Sequence, residues 1–249
     1  MEKVNLPNEL GFEELPVFLD TIEKTIQGNY FAKAALDIAL HNLLANIEKK
    51  GIQQHYGISG DNLPTSFTLG ISSNDMLLEK LKFAQDFSYI KLKVDETEME
   101  RIVNFYTKNC EKPFVVDANQ GFKNKEVALD WCIELNKKGV AYMEQPFQKD
   151  DLVSHQWLTE RSPIPIMADE SFQTLSDLSK IRNSFHGVNV KLMKCGGIYP
   201  AFKCLKKAKT IGLKTVLGCM SESSVAVDAA AHLSPLADWA DLDGPFLLK

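Results

Sequence analysis

Residues 113–170 read PFVVDANQGFKNKEVALDWCIELNKKGVAYMEQPFQKDDLVSHQWLTERSPIPIMADE. Three short apolar runs stand out: PFVVDA, AYMEQP and PIMADE. They end in acids, at Asp117, at Glu144, and at Asp169 followed by Glu170. Stretches with helical spacing of apolar residues fill the gaps. A short apolar run followed by such a stretch is the signature of a strand–helix unit.

The same unit recurs on both sides. SFTLGI, YIKLKV, PFVVDA, AYMEQP, PIMADE, GVNVKLM, KTVLGC and ADLDGP begin at residues 66, 89, 113, 141, 165, 187, 214 and 240. The starts are 22 to 28 residues apart, which is room for one strand, one helix and two turns. Eight such units predict an α/β fold, a TIM-like (β/α) barrel of parallel strands, with a doubly wound open sheet as the weaker alternative. Residues 9–57 lack strands and carry helical patterns, as in FAKAALDIALHNLLANIEKK from Phe31. They predict a helical lead-in, so the chain divides into residues 1–60 and a barrel over 61–249.

Bulk properties exclude several classes. With 249 residues, 45% hydrophobic and 24% charged, the composition is that of a globular chain with a sizeable core. A net charge of -5 without a basic cluster argues against nucleic-acid binding. No apolar run is long enough for a membrane span, and the first residues lack a signal-peptide core. Five cysteines without CxxC spacing favour reduced thiols and a cytoplasmic setting.

In such barrels the chemistry lies at the carboxyl ends of the strands. There the sequence places Lys91 and Lys93, Asp117, Glu144, Asp169, Lys191, and the pair Asp241 and Asp243. Alternation puts Lys91 and Lys93 on one face of their strand and Ile90, Leu92 and Val94 on the other. Each residue alone has a plainer reading. Lysines guard solvated strand edges, an Asp at a strand end caps the next helix, Glu144 can open a turn, and Lys191 and Lys194 can be solvated. Together the plainer readings weaken. Asp117, Glu144 and Asp169 fall on successive strands, so their carboxylates are expected to converge. Such a set repels itself unless a hard divalent cation joins it, and oxygen ligands select Mg²⁺ or Mn²⁺ over zinc. Lys93 and Lys191 are then expected to face each other across the pocket. A lysine base has to be brought from about 10.4 to about 7–8, and Lys91 is the expected neighbour that lowers Lys93. Lysines on two faces suit removal of a proton from one side of a carbon and its return to the other.

KLKV, VVDANQGF, MEQP, MADES and VNVKLMKCGGI, in that order, resemble the enolase superfamily and its muconate-lactonizing subgroup, most closely the dipeptide epimerases of the L-Ala-D/L-Glu epimerase kind. The resemblance covers roughly residues 10–249. It implies an isomerase that epimerises a dipeptide at its α-carbon through an enolate. Asp117, Glu144 and Asp169 are the implied Mg²⁺ ligands, and Lys93 and Lys191 the implied proton carriers. Asp241 and Asp243 in DLDGP are implied to hold the dipeptide ammonium. Thr68, Lys91 and Cys219 are the further substrate-binding positions, and Asn119 and Glu170 stand behind the metal. Relative to this family, the first half of a capping domain and its C-terminal return have no counterpart in these residues. Loosened substrate selection and exposed apolar surface between Phe12 and Lys50 are expected, with homo-oligomerisation as one outlet. Muconate cycloisomerase and o-succinylbenzoate synthase are the sister alternatives, whose substrates carry no ammonium for the aspartates. A barrel that binds metal without turning over is the non-catalytic alternative. A glycosidase pairing Glu144 with Glu222 leaves Asp117, Asp169 and both lysines unexplained.

Overall fold

A computed structural model of the chain describes residues 10–247; the first residues of the expected lead-in lie outside them. Eight parallel strands form one sheet in the order β1 to β8: Ser66–Leu69, Tyr89–Lys93, Phe114–Asp117, Met143–Glu144, Ile166–Ala168, Gly187–Lys191, Lys214–Gly218 and Trp239–Asp241. A parallel bridge between Thr65 and Ala240 brings the last strand back to the first. All eight expected strands are present, and the arrangement is the TIM-like barrel.

Helices α1 (Leu15–Thr25), α2 (Tyr30–Glu48) and α3 (Ile52–His55) precede β1. The strands alternate with α4 (Asn74–Phe83), α5 (Met99–Asn109), α6 (Lys125–Lys137), α7 (Leu152–Thr159) and α8 (Leu178–Ile181). A short α9 (Leu192–Cys195) and a long α10 (Ile198–Thr210) follow β6, then α11 (Ser224–Ala231) and α12 (Gly244–Leu247). Local chemistry starts several of them. The side chains of Ser73, Asn124 and Asp151 accept from first-turn amides of α4, α6 and α7. In α5 the buried residues Met99, Ile102, Val103 and Tyr106 recur three and four apart and face the sheet.

Strand parity sorts the core into two regions. Ile90, Leu92, Val94, Val116, Val188 and Val190 point outward into the layer shared with the helices. Val115, Tyr142, Met167 and Val216 pack inside the barrel with Tyr89 and Trp239. This inner cluster is the floor. Two residues further along β3, β4, β5 and β8, on the same face, stand Asp117, Glu144, Asp169 and Asp241. The fold thus sets acids directly above an apolar plug.

Phe12, Leu15, Phe18, Leu19, Ile22 and Leu44 form a separate small core among the N-terminal helices. Val17, Phe31, Leu43 and Ile47 of the same helices are exposed, as expected for this segment. Among the described residues no helix is long and apolar enough to cross a membrane.

Candidate active site

Lys91 occupies the middle of the barrel mouth. Its ammonium lies 3.0 Å from Asp117 Oδ2, 3.0 Å from Glu144 Oε2 and 2.8 Å from Asp241 Oδ2. Burial alone pushes this amine down, but Asp117, Asp241 and Glu144 hold it well above the ordinary lysine range. Lys91 is therefore a fixed positive charge that cannot act as a base.

The two other lysines stand on opposite walls, since β2 and β6 are four places apart in the eight-strand order. Lys191 Nζ donates to Asp169 Oδ2 at 2.8 Å and is buried. Burial acts to lower it, yet Asp169 keeps it above the usual lysine range, against the lowering expected for a base. Lys93 is more open, with 41% of its side chain exposed. Its Nζ donates to Asn119 Oδ1 at 3.0 Å and lies 3.7 Å from Asp117 Oδ2.

Asp117 stands opposite Glu144 in the register of β3 and β4, and Asp169 follows β5, two residues beyond Met167, the register partner of Glu144. They do not converge as expected. Among the described residues no three acidic, histidine or cysteine side chains come together closely enough to hold a metal ion. The reason is visible in the pairing: Asp117 and Glu144 turn to Lys91, while Asp169 turns to Lys191 and to Lys194 at 2.6 Å. Three lysines supply the positive charge that balances the acids. The balance is uneven. Burial, opposed by Lys91 and reinforced by Asp117 and Asp169, pushes Glu144 up to about 8. Asp169 resists its own burial through Lys194, Lys191 and Lys91 and stays well below the usual carboxylate range. The three buried carboxylates supply the oxygen donors that a hard divalent cation takes, and they would have to turn from their lysines to meet on one.

Asp241 and Asp243 behave differently from each other. Asp241 accepts from Ser66 Oγ at 2.7 Å and from Lys91 at 2.8 Å, so neither oxygen is idle. Asp243 Oδ2 accepts from the Thr68 amide at 2.6 Å, and burial with the Asp241 charge raises it to about 6. Cys219 Sγ accepts from the Gly244 amide at 3.3 Å, and burial pushes its thiol up to about 12. It remains a neutral thiol. Thr68 and Lys93 also line an apolar groove of about 1080 Å³, shared with Phe67, Met76, Phe83 and Phe246.

Several contributors escaped the sequence reading. Asn189, inside β6, donates to Glu144 Oε1 at 2.8 Å. Lys194 is buried rather than solvated, donating to Asp169 Oδ1, to the Asp169 carbonyl and to the Asn189 carbonyl. Gln145 spans two strand ends: its Oε1 accepts from the amides of Asp169 and Ser171 at 2.9 and 3.1 Å. Asn119, Gln120 and Gln145 adopt positive φ values of 41°, 65° and 38°, and the Gln120 amide donates to the Gln145 carbonyl at 2.7 Å. Non-glycine residues held this way cost of order 1–3 kcal/mol each and gather at functional sites. Asn119 donates to Glu170 at 3.4 Å, joining the two residues expected behind the acids. Glu222 accepts from the Met220 amide at 2.8 Å.

Comparison with known proteins agrees with this fold. Residues 76–241 match the family described as enolase C-terminal domain-like. The chain is 36% identical to the L-Ala-D/L-Glu epimerase of Bacteroides thetaiotaomicron over 100% of its own length and 66% of that protein. The substrate-liganded complex of the L-Ala-D/L-Glu epimerase from Bacillus subtilis superimposes with a TM-score of 0.88 at 30% identity, over 98% of this chain and 71% of that one. The dipeptide epimerase of Enterococcus faecalis, complexed with Mg and the dipeptide L-Leu-L-Tyr, gives 0.85 at 29% identity, over 96% and 71%. The chain thus spans about two thirds of the length of the proteins it resembles. With its eight-stranded barrel, its acids on β3, β4 and β5 and its lysines on β2 and β6, the chain belongs to the enolase superfamily.

Proposed function

We propose that this chain carries the catalytic barrel of an isomerase that epimerises a dipeptide at an α-carbon, with Mg²⁺ as the metal. Mn²⁺ suits the same ligands. Residues 61–249 would form the catalytic unit, and the helices within residues 1–60 would belong to a cap. The observation that carries the reading is the placement of Lys93 and Lys191 on opposite walls, with three acids on the strands between them.

Asp117, Glu144 and Asp169 would hold the cation, which when bound stabilises negative charge on a substrate oxygen beside the reacting carbon. Lys91, fixed and positive among the acids, adds to that stabilisation. Lys93 Nζ and Lys191 Nζ serve as the two proton carriers. One takes the α-proton and the other returns a proton to the opposite face, inverting the centre. The lysine that takes the proton must be neutral, and the one that returns it must be protonated. Asp169 is the principal counter-charge of Lys191; were Asp169 to hold the cation, burial and Lys91 would favour the neutral amine of Lys191. Asp243, with one oxygen engaged by Thr68, and Asp241 beside it place an acidic end near Lys91. That end suits the free ammonium of a dipeptide and offers nothing to substrates without one.

Similarity to an L-Ala-D/L-Glu epimerase and to a dipeptide epimerase favours dipeptides over the substrates of the sister enzymes. A panel of L,L-dipeptides incubated in D₂O with Mg²⁺ tests the reading by mass and chiral chromatography. Turnover adds one deuterium and yields a diastereomer, and EDTA abolishes both. Deuterium uptake by none of the panel, with Mg²⁺ bound, contradicts it.

A further inference from the structure

Helix α2 is apolar nearly all round, yet it buries three polar residues four apart: Lys33, Asp37 and His41. Asp37 and His41 have no exposed surface. Buried polar groups need partners, and these have an ordered set. His41 Nδ1 lies 2.8 Å from the Asp37 carbonyl and 3.1 Å from Asp37 Oδ1, and its Nε2 lies 2.7 Å from the Tyr56 hydroxyl. The network assigns the proton to Nδ1, with Tyr56 donating to Nε2. Burial and the Asp37 charge raise Tyr56 well above its ordinary range, so it keeps the proton it donates.

The other side of Asp37 faces the barrel. Oδ1 accepts from the Ile198 amide at 2.6 Å and Oδ2 from the Tyr199 amide at 3.3 Å, the first residues of α10. A Cβ on Gly197 would stand 2.3 Å from Asp37 Cγ, and Gly197 has a φ of 130°. Only glycine admits this approach. Gly196 and Gly197 both donate to the Leu192 carbonyl at 2.9 Å, closing α9 directly after Lys191. Cys195 Sγ reaches back to the Lys191 carbonyl at 3.2 Å. Tyr56 packs against Phe202 with ring centres 4.5 Å apart and planes tilted by 31°, and Lys203 pairs with Asp20 at 2.7 Å. The N-terminal helices therefore grip the segment that runs out of Lys191. Lys93 stands on the far wall, with Asn119 and Asp117 as its polar neighbours.

We propose that Asp37, held by His41 and Tyr56, is a positioning residue for Lys191, acting through the Gly196–Gly197 turn, with no comparable hold on Lys93. This rests on the two-lysine reading. It makes the brace one-sided, which a general loss of stability is not.

The test follows α-proton loss in D₂O separately for the two epimers of one dipeptide. Lys191→Ala and Lys93→Ala define which epimer each lysine serves. Asp37→Ala is expected to slow exchange of the Lys191 epimer by roughly tenfold or more, since small misplacements of a reacting group are costly. The Lys93 epimer should change by less than roughly twofold on the same grounds. Asp37→Asn keeps the volume and one acceptor oxygen; it should show a smaller loss of the same one-sided kind, and it serves if Asp37→Ala does not fold. Amide hydrogen exchange should speed up over residues 192–199 and stay unchanged over 114–118. If neither lysine variant is one-sided, the two-lysine reading fails. If both are one-sided but Asp37→Ala slows the epimers alike, or leaves protection over 192–197 unchanged, the brace is refuted.

Discussion

His155 gives a sharp test of the electrostatics around the site. It is fully buried on α7, with its ring 5.2 Å from Phe147 and 4.4 Å from Phe185, centre to centre. Its Nδ1 lies 2.8 Å from the Asp151 carbonyl and acts as the donor, while Nε2 accepts from the Phe147 amide at 3.3 Å. Charging the ring would turn that acceptor into a donor facing a donor. Burial accordingly lowers His155 from 6.5 to about 4, against the opposing pull of Asp151. Because the folded value is depressed, the unfolded chain takes up its proton first as pH falls. The associated stability is whole above about 6.5 and is lost progressively down to about 4. A gap of this size corresponds to about 3 kcal/mol. Domains are commonly stable by about 5–15 kcal/mol, so the loss is measurable. Urea unfolding of the parent and of His155→Gln between pH 7 and 4 isolates it, because Gln keeps an acceptor but does not titrate. The variant starts less stable and should lose about 3 kcal/mol less than the parent over this range. Equal losses in both proteins would refute the reasoning.

Three other outcomes follow from the same structure. Asp117→Asn should weaken Mg²⁺ binding by more than roughly tenfold in calorimetric titration, as loss of a charged ligand demands. Leu135→Ala, at a fully buried position on α6, should cost about 2–5 kcal/mol in urea unfolding. Leu43→Lys combined with Ile47→Lys should shift sedimentation toward the monomer if the exposed apolar face of α2 drives association; an unchanged distribution would assign self-association elsewhere.

How much was legible in the sequence varies with the range of the interaction. The strands were legible because each carries its own period. Val115 and Asp117, Tyr142 and Glu144, Met167 and Asp169 repeat a pair of floor residue and acid, two positions apart, that alternation alone places on one face. The lysines on β2 and β6 followed from the same rule. Pairing among the charges was not legible, because it depends on side-chain reach across strands. Lys91 reaches three acids on three other strands, and Lys194, on the turn after β6, folds back on Asp169. The Asp37 brace was hidden for a similar reason. Its partners Ile198 and Tyr199 are 161 and 162 residues away and contribute backbone amides, which leave no mark in a sequence. The one local signal was Lys33, Asp37 and His41 at four-residue spacing in an otherwise apolar helix.

The central claim is that two lysines on opposite walls serve opposite faces of one carbon. The most direct measurement is α-proton exchange in D₂O with Mg²⁺, starting from each epimer of an accepted dipeptide, in the parent, Lys93→Ala and Lys191→Ala. The account predicts that each variant loses exchange from one epimer, keeps it from the other without inversion, and that the two variants fail on opposite epimers. Loss of exchange from both epimers in one variant, with the other behaving like the parent, would contradict it.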